Sequence, residues 1–301
     1  MNVHIKSALE IALTRSGVAW LRQAILPRSS VLVLAYHDIV PTGTPRAGDA
    51  SLHLPQHEFA RQLDLIARTH EVVPLSSIFD GRSATAPRVA ITFDDAYAGA
   101  LTAGVEELEQ RGLPATVFVT PGLLECITWW DLVATEGDGG VPDREREHAL
   151  WKLGGMQEKV LAWAPPAASG DRGRLPRIGS LEQLRAAAAY RNLDLASHTW
   201  SHANLSASTP KELALELSLA RDWISQRFPR ALSLLSYPYG LSTHAVEVAA
   251  EAHGYSAAFR VTGGWIPDID SADRFALPRY NVPAGLSLSG LRLRLAGIGT
   301  G

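Results

Sequence analysis

VAITFDDAYAGA, Val89 to Ala100, runs an apolar, β-rich stretch directly into two adjacent carboxylates, Asp94 and Asp95, and then into a segment of helical composition. A short continuous apolar run without polar alternation is consistent with a strand buried on both faces. Neighbouring carboxylates repel, and burying either one uncompensated costs several kcal/mol or forces it to take up a proton. The strand end therefore calls for a cation, a basic side chain, or a role in which one Asp collects a proton.

Outward from this strand the same unit recurs. VLVLAY (31–36), HEVVPL (70–75), ATVFVT (115–120), LDLAS (193–197), LSLLSY (232–237), YSAAFRV (255–261) and a short last run, FALPRY (275–280), read as strands. Segments of helical period lie between them, over 56–69, 97–111, 181–190, 210–227 and 242–253. Repeated strand–helix alternation implies parallel strands with crossover helices, and seven or eight such units close into a barrel. The expected fold is therefore α/β, a (β/α) barrel in preference to an open doubly wound sheet. Residues 123–179 break the rhythm with a charged helical patch and a Pro/Gly-rich tail, and read as a helical insertion over one face. Trp129, Trp130, Trp151 and Trp163 concentrate there, either as the insertion's own small core or as surfaces for stacking on sugar rings. The expected division is an N-terminal amphipathic helix over 1–29, a barrel over 30–292 that includes the insertion, and a tail over 293–301.

The 301 residues are 46% hydrophobic and 20% charged, an ordinary globular composition. A net charge of −3 and a pI near 6.4 provide no general field for nucleic acid, so no nucleic-acid partner is expected. The single cysteine, Cys126, excludes an internal disulfide framework and a cysteine-based zinc cluster, so any metal must be held by His and carboxylate. Near the N-terminus, Glu10 and Arg15 interrupt every apolar run before signal-peptide length, and no stretch is long enough to span a bilayer. Ile5, Leu9, Ala12, Leu13, Trp20 and Leu21 fit helical spacing, for a helix packed on the domain's outside or lying on a membrane surface. The corresponding expectation is a cytoplasmic protein, with peripheral contact at the inner membrane surface open to it.

Catalytic residues of parallel barrels come from the carboxyl ends of strands. The unusual polar residues of this sequence fall there: Tyr36 and His37, Asp94 and Asp95, SHTWSH (197–202), SYPYG (236–240) and Arg279. A helical turn would put His198 and His202 on one face, and Asp95 completes a three-ligand set with an open position, the form of a catalytic metal site. Asp94, beside the ligand but not ligating, is then free to accept a proton from water.

Taken together, TFDD, SHTWSH and YPYG resemble the polysaccharide deacetylase family, the metal-dependent carbohydrate deacetylases with the chitooligosaccharide deacetylase homology domain, over roughly residues 31–290. The resemblance implies a distorted (β/α)7 barrel that removes acetyl groups from glycans, usually N-acetylhexosamine units, by hydrolysis of a linear amide. It implies Asp94 as general base, Asp95, His198 and His202 as ligands of Zn2+ or a similar divalent ion, and the backbone N–H of Tyr239 as oxyanion donor. Tyr36, Pro238, Tyr239 and Trp130 are the expected substrate contacts. Two other readings are a catalytically silent glycan-binding barrel and a deacylase of a small non-sugar amide.

The sequence departs from the family pattern in three places. Ala96 replaces the glycine that usually follows the Asp pair, a change the backbone tolerates unless it needs positive φ there. Ser236 replaces the arginine that partners the base, with Arg279 the expected substitute and a rim ion pair its alternative role. The Leu-x-His that supplies the general acid is missing; LPRYNVP stands in that region. His37 is the remaining imidazole expected near the site, or else it closes the first strand. His53 and His57 fall in a polar loop and helix start with no constellation around them, and His244 and His253 on a surface helix.

Overall fold

The computed structural model describes residues 10–81, 86–135, 139–164 and 172–299. Ile5 and Leu9 of the N-terminal pattern, residues 165–171 of the Pro/Gly-rich tail and residues 300–301 of the C-terminal tail lie outside them. The strands are β1 (Val31–Tyr36), β2 (Asp38–Val40), β3 (His53–Pro55), β4 (Glu71–Val72), β5 (Arg88–Phe93), β6 (Ala115–Val119), β7 (Leu193–Ser197), β8 (Leu234–Ser236), β9 (Ala257–Phe259) and β10 (Tyr280–Asn281). One parallel sheet runs β10-β1-β5-β6-β7-β8-β9, with β4 paired to the start of β5. The stretch leading into β10 bridges Leu277 to Phe259, and the Arg279 N–H donates to the Arg260 carbonyl at 3.1 Å, which brings the last strand against β9. The result is the distorted (β/α)7 barrel.

Several strands are shorter than their apolar runs. The FALPRY run enters the ladder only partly, because Pro278 has no N–H to contribute. β2 and β3 form a separate two-stranded parallel pair that the polar composition around them conceals.

β1 and β5 are buried along their whole length, on both faces. Their alternate residues therefore serve two cores. Val31, Val33 and Ala90 face the barrel interior with Phe118, Leu234 and Phe259. Leu32, Leu34, Tyr36, Ile91 and Phe93 face outward, onto Phe59, Leu63 and Ile66 of the covering helix Gln56–Thr69. That phase decides which strand-end side chains can reach the mouth of the barrel.

At the N-terminus, helix α1 (Val18–Ala24) packs Ala19 against Leu293 and Ala296, and the Ser287 hydroxyl donates to the Glu10 carboxylate at 2.7 Å. Trp20, Leu21 and Ile25 remain exposed. Among the described residues no helix is long and apolar enough to cross a membrane. The insertion contributes three further helices that matter for the site, here α2 (Trp129–Val133), α3 (Asp143–Trp151) and α4 (Gln157–Trp163). It rejoins the barrel where Ile178 bridges Tyr97, just beyond the Asp pair.

Candidate active site

Asp94 follows β5, and its backbone N–H donates to the Tyr36 carbonyl. Arg279 reaches it from the last strand. The two terminal guanidinium nitrogens donate to the two carboxylate oxygens at 2.7 Å each, the bidentate geometry a lysine could not reproduce. The Arg279 side chain is fully buried over the Phe118 ring, and it also donates to the hydroxyls of Thr92 at 3.0 Å and Ser236 at 2.5 Å. Ser236 is thus small enough to admit the guanidinium and polar enough to accept from it. Burial alone would push the Asp94 carboxyl up, but Arg279 and His198 outweigh it and hold the group well below the usual carboxylate range. Asp94 is therefore a carboxylate with a fixed rotamer.

Asp95 has no such partner. Burial, the neighbouring Asp94 and then Asp131 raise it well above the usual range, and its Oδ1 is buried without a hydrogen bond. His198 and His202 face it, their Nε2 atoms 3.5 and 3.2 Å from Oδ1. The His198 Nδ1–H donates to the Ser236 carbonyl at 2.8 Å, which directs the Nε2 lone pair toward Asp95. One donor atom from each of the three residues lies within 4.8 Å of the others. Donors placed tetrahedrally around a first-row divalent ion at ~2.0–2.1 Å stand about 3.3 Å apart. Burial lowers both imidazoles, keeping them neutral as ligands must be. The residues present fit a divalent cation of the zinc class.

The histidines do not share a helical face. Residues 198–204 form a loop, with Thr199 at φ 66° and His202 at φ 60°, and the Glu216 carboxylate anchors it by accepting from the Ser201 N–H at 2.8 Å. The Asp pair is similarly placed by irregular backbone. Asp95 has φ 69° and Ala96 φ 64°, so the position after the pair does require the left-handed conformation for which glycine is suited.

A cavity of about 250 Å³ opens over these groups, and His37, Trp129, Trp130, Arg146, Tyr239 and Asn281 are among its other lining residues. His37 is half-buried there, and burial lowers its pKa to about 4 despite the pull of Asp94. Trp130 packs on the His202 ring at 4.8 Å between centroids, and Tyr239 packs on it at 4.5 Å. The Trp129 indole N–H donates to the Tyr239 hydroxyl at 3.2 Å. Two expected substrate contacts are displaced. Tyr36 points outward, donating from its hydroxyl to Gln62 at 3.0 Å, because its position in β1 has the helix-facing phase. Pro238 is buried at the start of the turn that holds Tyr239 at φ 61° and is absent from the cavity lining. Of the four insertion tryptophans, Trp129 and Trp130 are buried and line the cavity, whereas Trp151 and Trp163 are exposed.

The sequence reading missed a buried charge cluster behind this wall. His53 of β3 places Nδ1 3.0 Å from the Asp38 carboxylate and Nε2 2.8 Å from that of Asp131. Burial opposes charge on the imidazole, yet Asp131 and Asp38 raise its pKa to about 10. Asp131 also accepts from the Tyr97 hydroxyl at 2.7 Å, which in turn accepts from the Trp130 indole N–H at 2.7 Å. Trp130 is thereby tied to the barrel behind the ligand His202. The lone cue in the sequence was polar residues flanking short apolar runs. Arg146 of α3 was missed as well; it lines the cavity and donates to the buried Asp49 carboxylate at 2.8 Å.

The sequence profile of the family described as polysaccharide deacetylase matches residues 81–258. No curated protein matches the chain. Among solved structures, IcaB from Ammonifex degensii superposes with a TM-score of 0.64 at 17% identity, covering 89% of this chain and 97% of that one. The Streptococcus pyogenes deacetylase PplD, in complex with acetate, gives 0.62 at 15% identity, covering 88% and 98%. The polysaccharide deacetylase BC0361 from Bacillus cereus gives 0.61 at 15% identity, covering 88% and 69%. At these identities the superpositions establish a shared fold.

Proposed function

The chain belongs to the polysaccharide deacetylase family, and on that premise we propose that it is a metal-dependent hydrolase removing acetyl groups from N-acetylhexosamine units of a glycan or glycan intermediate. The observation that carries this reading is the unequal treatment of two adjacent buried carboxylates. Asp94 is clamped by Arg279, while Asp95 is left unpartnered beside two neutral imidazoles. Sugar binding alone requires neither arrangement.

Asp95, His198 and His202 would hold a divalent ion, which would supply Lewis acidity to the reaction. Asp94 takes a proton from the attacking water as its oxygen bonds to the carbonyl carbon. The Tyr239 backbone N–H, presented by the left-handed turn, donates to the developing oxyanion. Trp129 and Trp130 exclude bulk water from the reacting groups. The C–N bond then breaks and the proton passes to the leaving amine, giving acetate and a free amino sugar. Asp94, held in one orientation by the bidentate Arg279 contact, returns the proton it has collected to the nitrogen. His37, whose pKa burial lowers to about 4, is a neutral wall group of the cavity.

Acetate release from chitooligosaccharides is the test, measured before and after chelation and after metal is restored. Release that chelation abolishes and metal restores is expected. Undiminished release after complete chelation would remove the metal from the reading, and no release by metal-loaded protein would remove the substrate.

A further inference from the structure

Helix α1 is docked on the barrel by its small and polar side. Ala19 is buried against Leu293 and Ala296, the Gln23 side chain donates to the Thr69 carbonyl at 2.8 Å, and Leu26, just past the helix, lies half-buried beside Gly297. These positions, at i, i+4 and i+7, share one face. The opposite face carries the large side chains: Trp20 is 68% exposed, Leu21 58% and Ile25 69%, with Val18 exposed on the same side. A helix on a globular surface ordinarily turns its apolar stripe inward and its polar residues to water, and α1 does the reverse. The Ser287–Glu10 hydrogen bond ties down the chain just before it, so the ridge belongs to a docked element.

The charges carried by this segment are of one sign. Arg15, Arg22 and Arg28 are exposed, and no Asp or Glu occurs from Ile11 to His37, although the chain as a whole carries −3. Arg292, exposed on the helix Leu288–Leu295 whose Leu293 packs on Ala19, adds a further positive charge. So few apolar side chains fall short of a stable protein interface, which takes about 20–30 residues a side. A bilayer needs no shape complement. It accepts a convex apolar ridge at the headgroup boundary, seats Trp at that level and, where its lipids are anionic, attracts nearby arginines. We infer that α1 is a membrane-surface anchor: Trp20, Leu21 and Ile25 enter the outer layer of an anionic lipid bilayer while Arg15 and Arg22 meet its headgroups. The inference is independent of the deacetylase reading.

Flotation of the full chain with vesicles tests it, using phosphatidylcholine alone and equal parts phosphatidylcholine and phosphatidylglycerol, at low salt and near physiological ionic strength. The mixed vesicles should be bound about tenfold or more tightly than the neutral ones, and the preference should shrink as salt rises. Arg15→Gln together with Arg22→Gln should cut the affinity for mixed vesicles about thirtyfold, and Trp20→Ser together with Ile25→Ser should cut it about tenfold or more. All four side chains are exposed, so both double variants should melt near the parent temperature, which separates lost binding from lost folding. Equal affinity for the two kinds of vesicle, or unchanged binding by either double variant, overturns the anchor. Light scattering identifies a second copy as the occupant: a dimer that Trp20→Ser with Ile25→Ser dissociates, with no vesicle binding by the parent, also overturns it. Acetate release enters none of these measurements, so the anchor and the deacetylase reading fail separately.

Discussion

Replacing Asp131 by Asn should make the protein less stable in a way that depends on pH, through His53. The imidazole lies between two carboxylates, 3.0 Å from Asp38 and 2.8 Å from Asp131, and is fully buried. Folding raises its pKa from 6.5 to about 10, against burial and because of the two carboxylates. A group raised in the folded state contributes stability that is fully present below its unfolded pKa and is lost as pH rises through the folded one. The window is therefore pH 6.5 to about 10, and the rise caps the linked stabilisation at about 5 kcal/mol. Removing one partner of a buried pair costs about 3–5 kcal/mol, so the cap and the expected loss agree in size. Asp131→Asn keeps the side-chain shape but removes the charge. Urea unfolding across pH 6.5–10, with chelator present so that His198 and His202 titrate alike in both proteins, should show the variant weaker by about 3 kcal/mol or more near pH 6.5. The gap should narrow as pH approaches 10, because the wild type loses the Asp131 share of the stabilisation that the variant lacks, while Asp38 still faces His53 in both. A gap that stays constant over this range would mean that His53 is not the charged centre of the cluster.

Arg279→Lys should lower kcat and Arg279→Met should lower it further, both with metal retained. The Asp94 carboxyl, no longer held low, becomes easier to protonate, so the acidic limb of the pH–rate profile moves upward; an unmoved limb would separate the two residues functionally. Asp95→Asn, His198→Ala and His202→Ala should each reduce bound metal by elemental analysis, whereas Asp94→Asn should keep its metal and lose about 10²–10⁴-fold in kcat. Equal metal loss in both Asp variants would interchange their roles. Ala96→Gly should stabilise the protein by about 1 kcal/mol in thermal unfolding, since Ala96 is held at φ 64°, where a Cβ is strained; a loss of stability would show that the buried methyl contributes more by packing than it costs in strain.

The alternation of buried strands with amphipathic helices needed no tertiary information, because each unit's apolar period is local and parallel strands covered on both faces leave few arrangements for the chain. The same locality made the strand-end residues legible: the Asp pair, His198 with His202, and Arg279 are conspicuous as polar groups closing apolar runs. The direction of a strand-end side chain was not legible. A strand buried on both faces has no polar phase, so nothing local distinguishes Tyr36, which faces the helices, from residues that face the barrel mouth. Nor was the left-handed backbone at Asp95, Ala96, Thr199 and His202, since those conformations are imposed by what the loops must bring together. The His53–Asp131 contact joins β3 to the insertion, 78 positions apart, and the division of four tryptophans into two buried and two exposed depends on how that insertion lies on the barrel. Local chemistry thus determined the elements and most of the reactive groups, whereas charge partners and facing depended on contacts between distant segments, which only the closed barrel brings within hydrogen-bonding range.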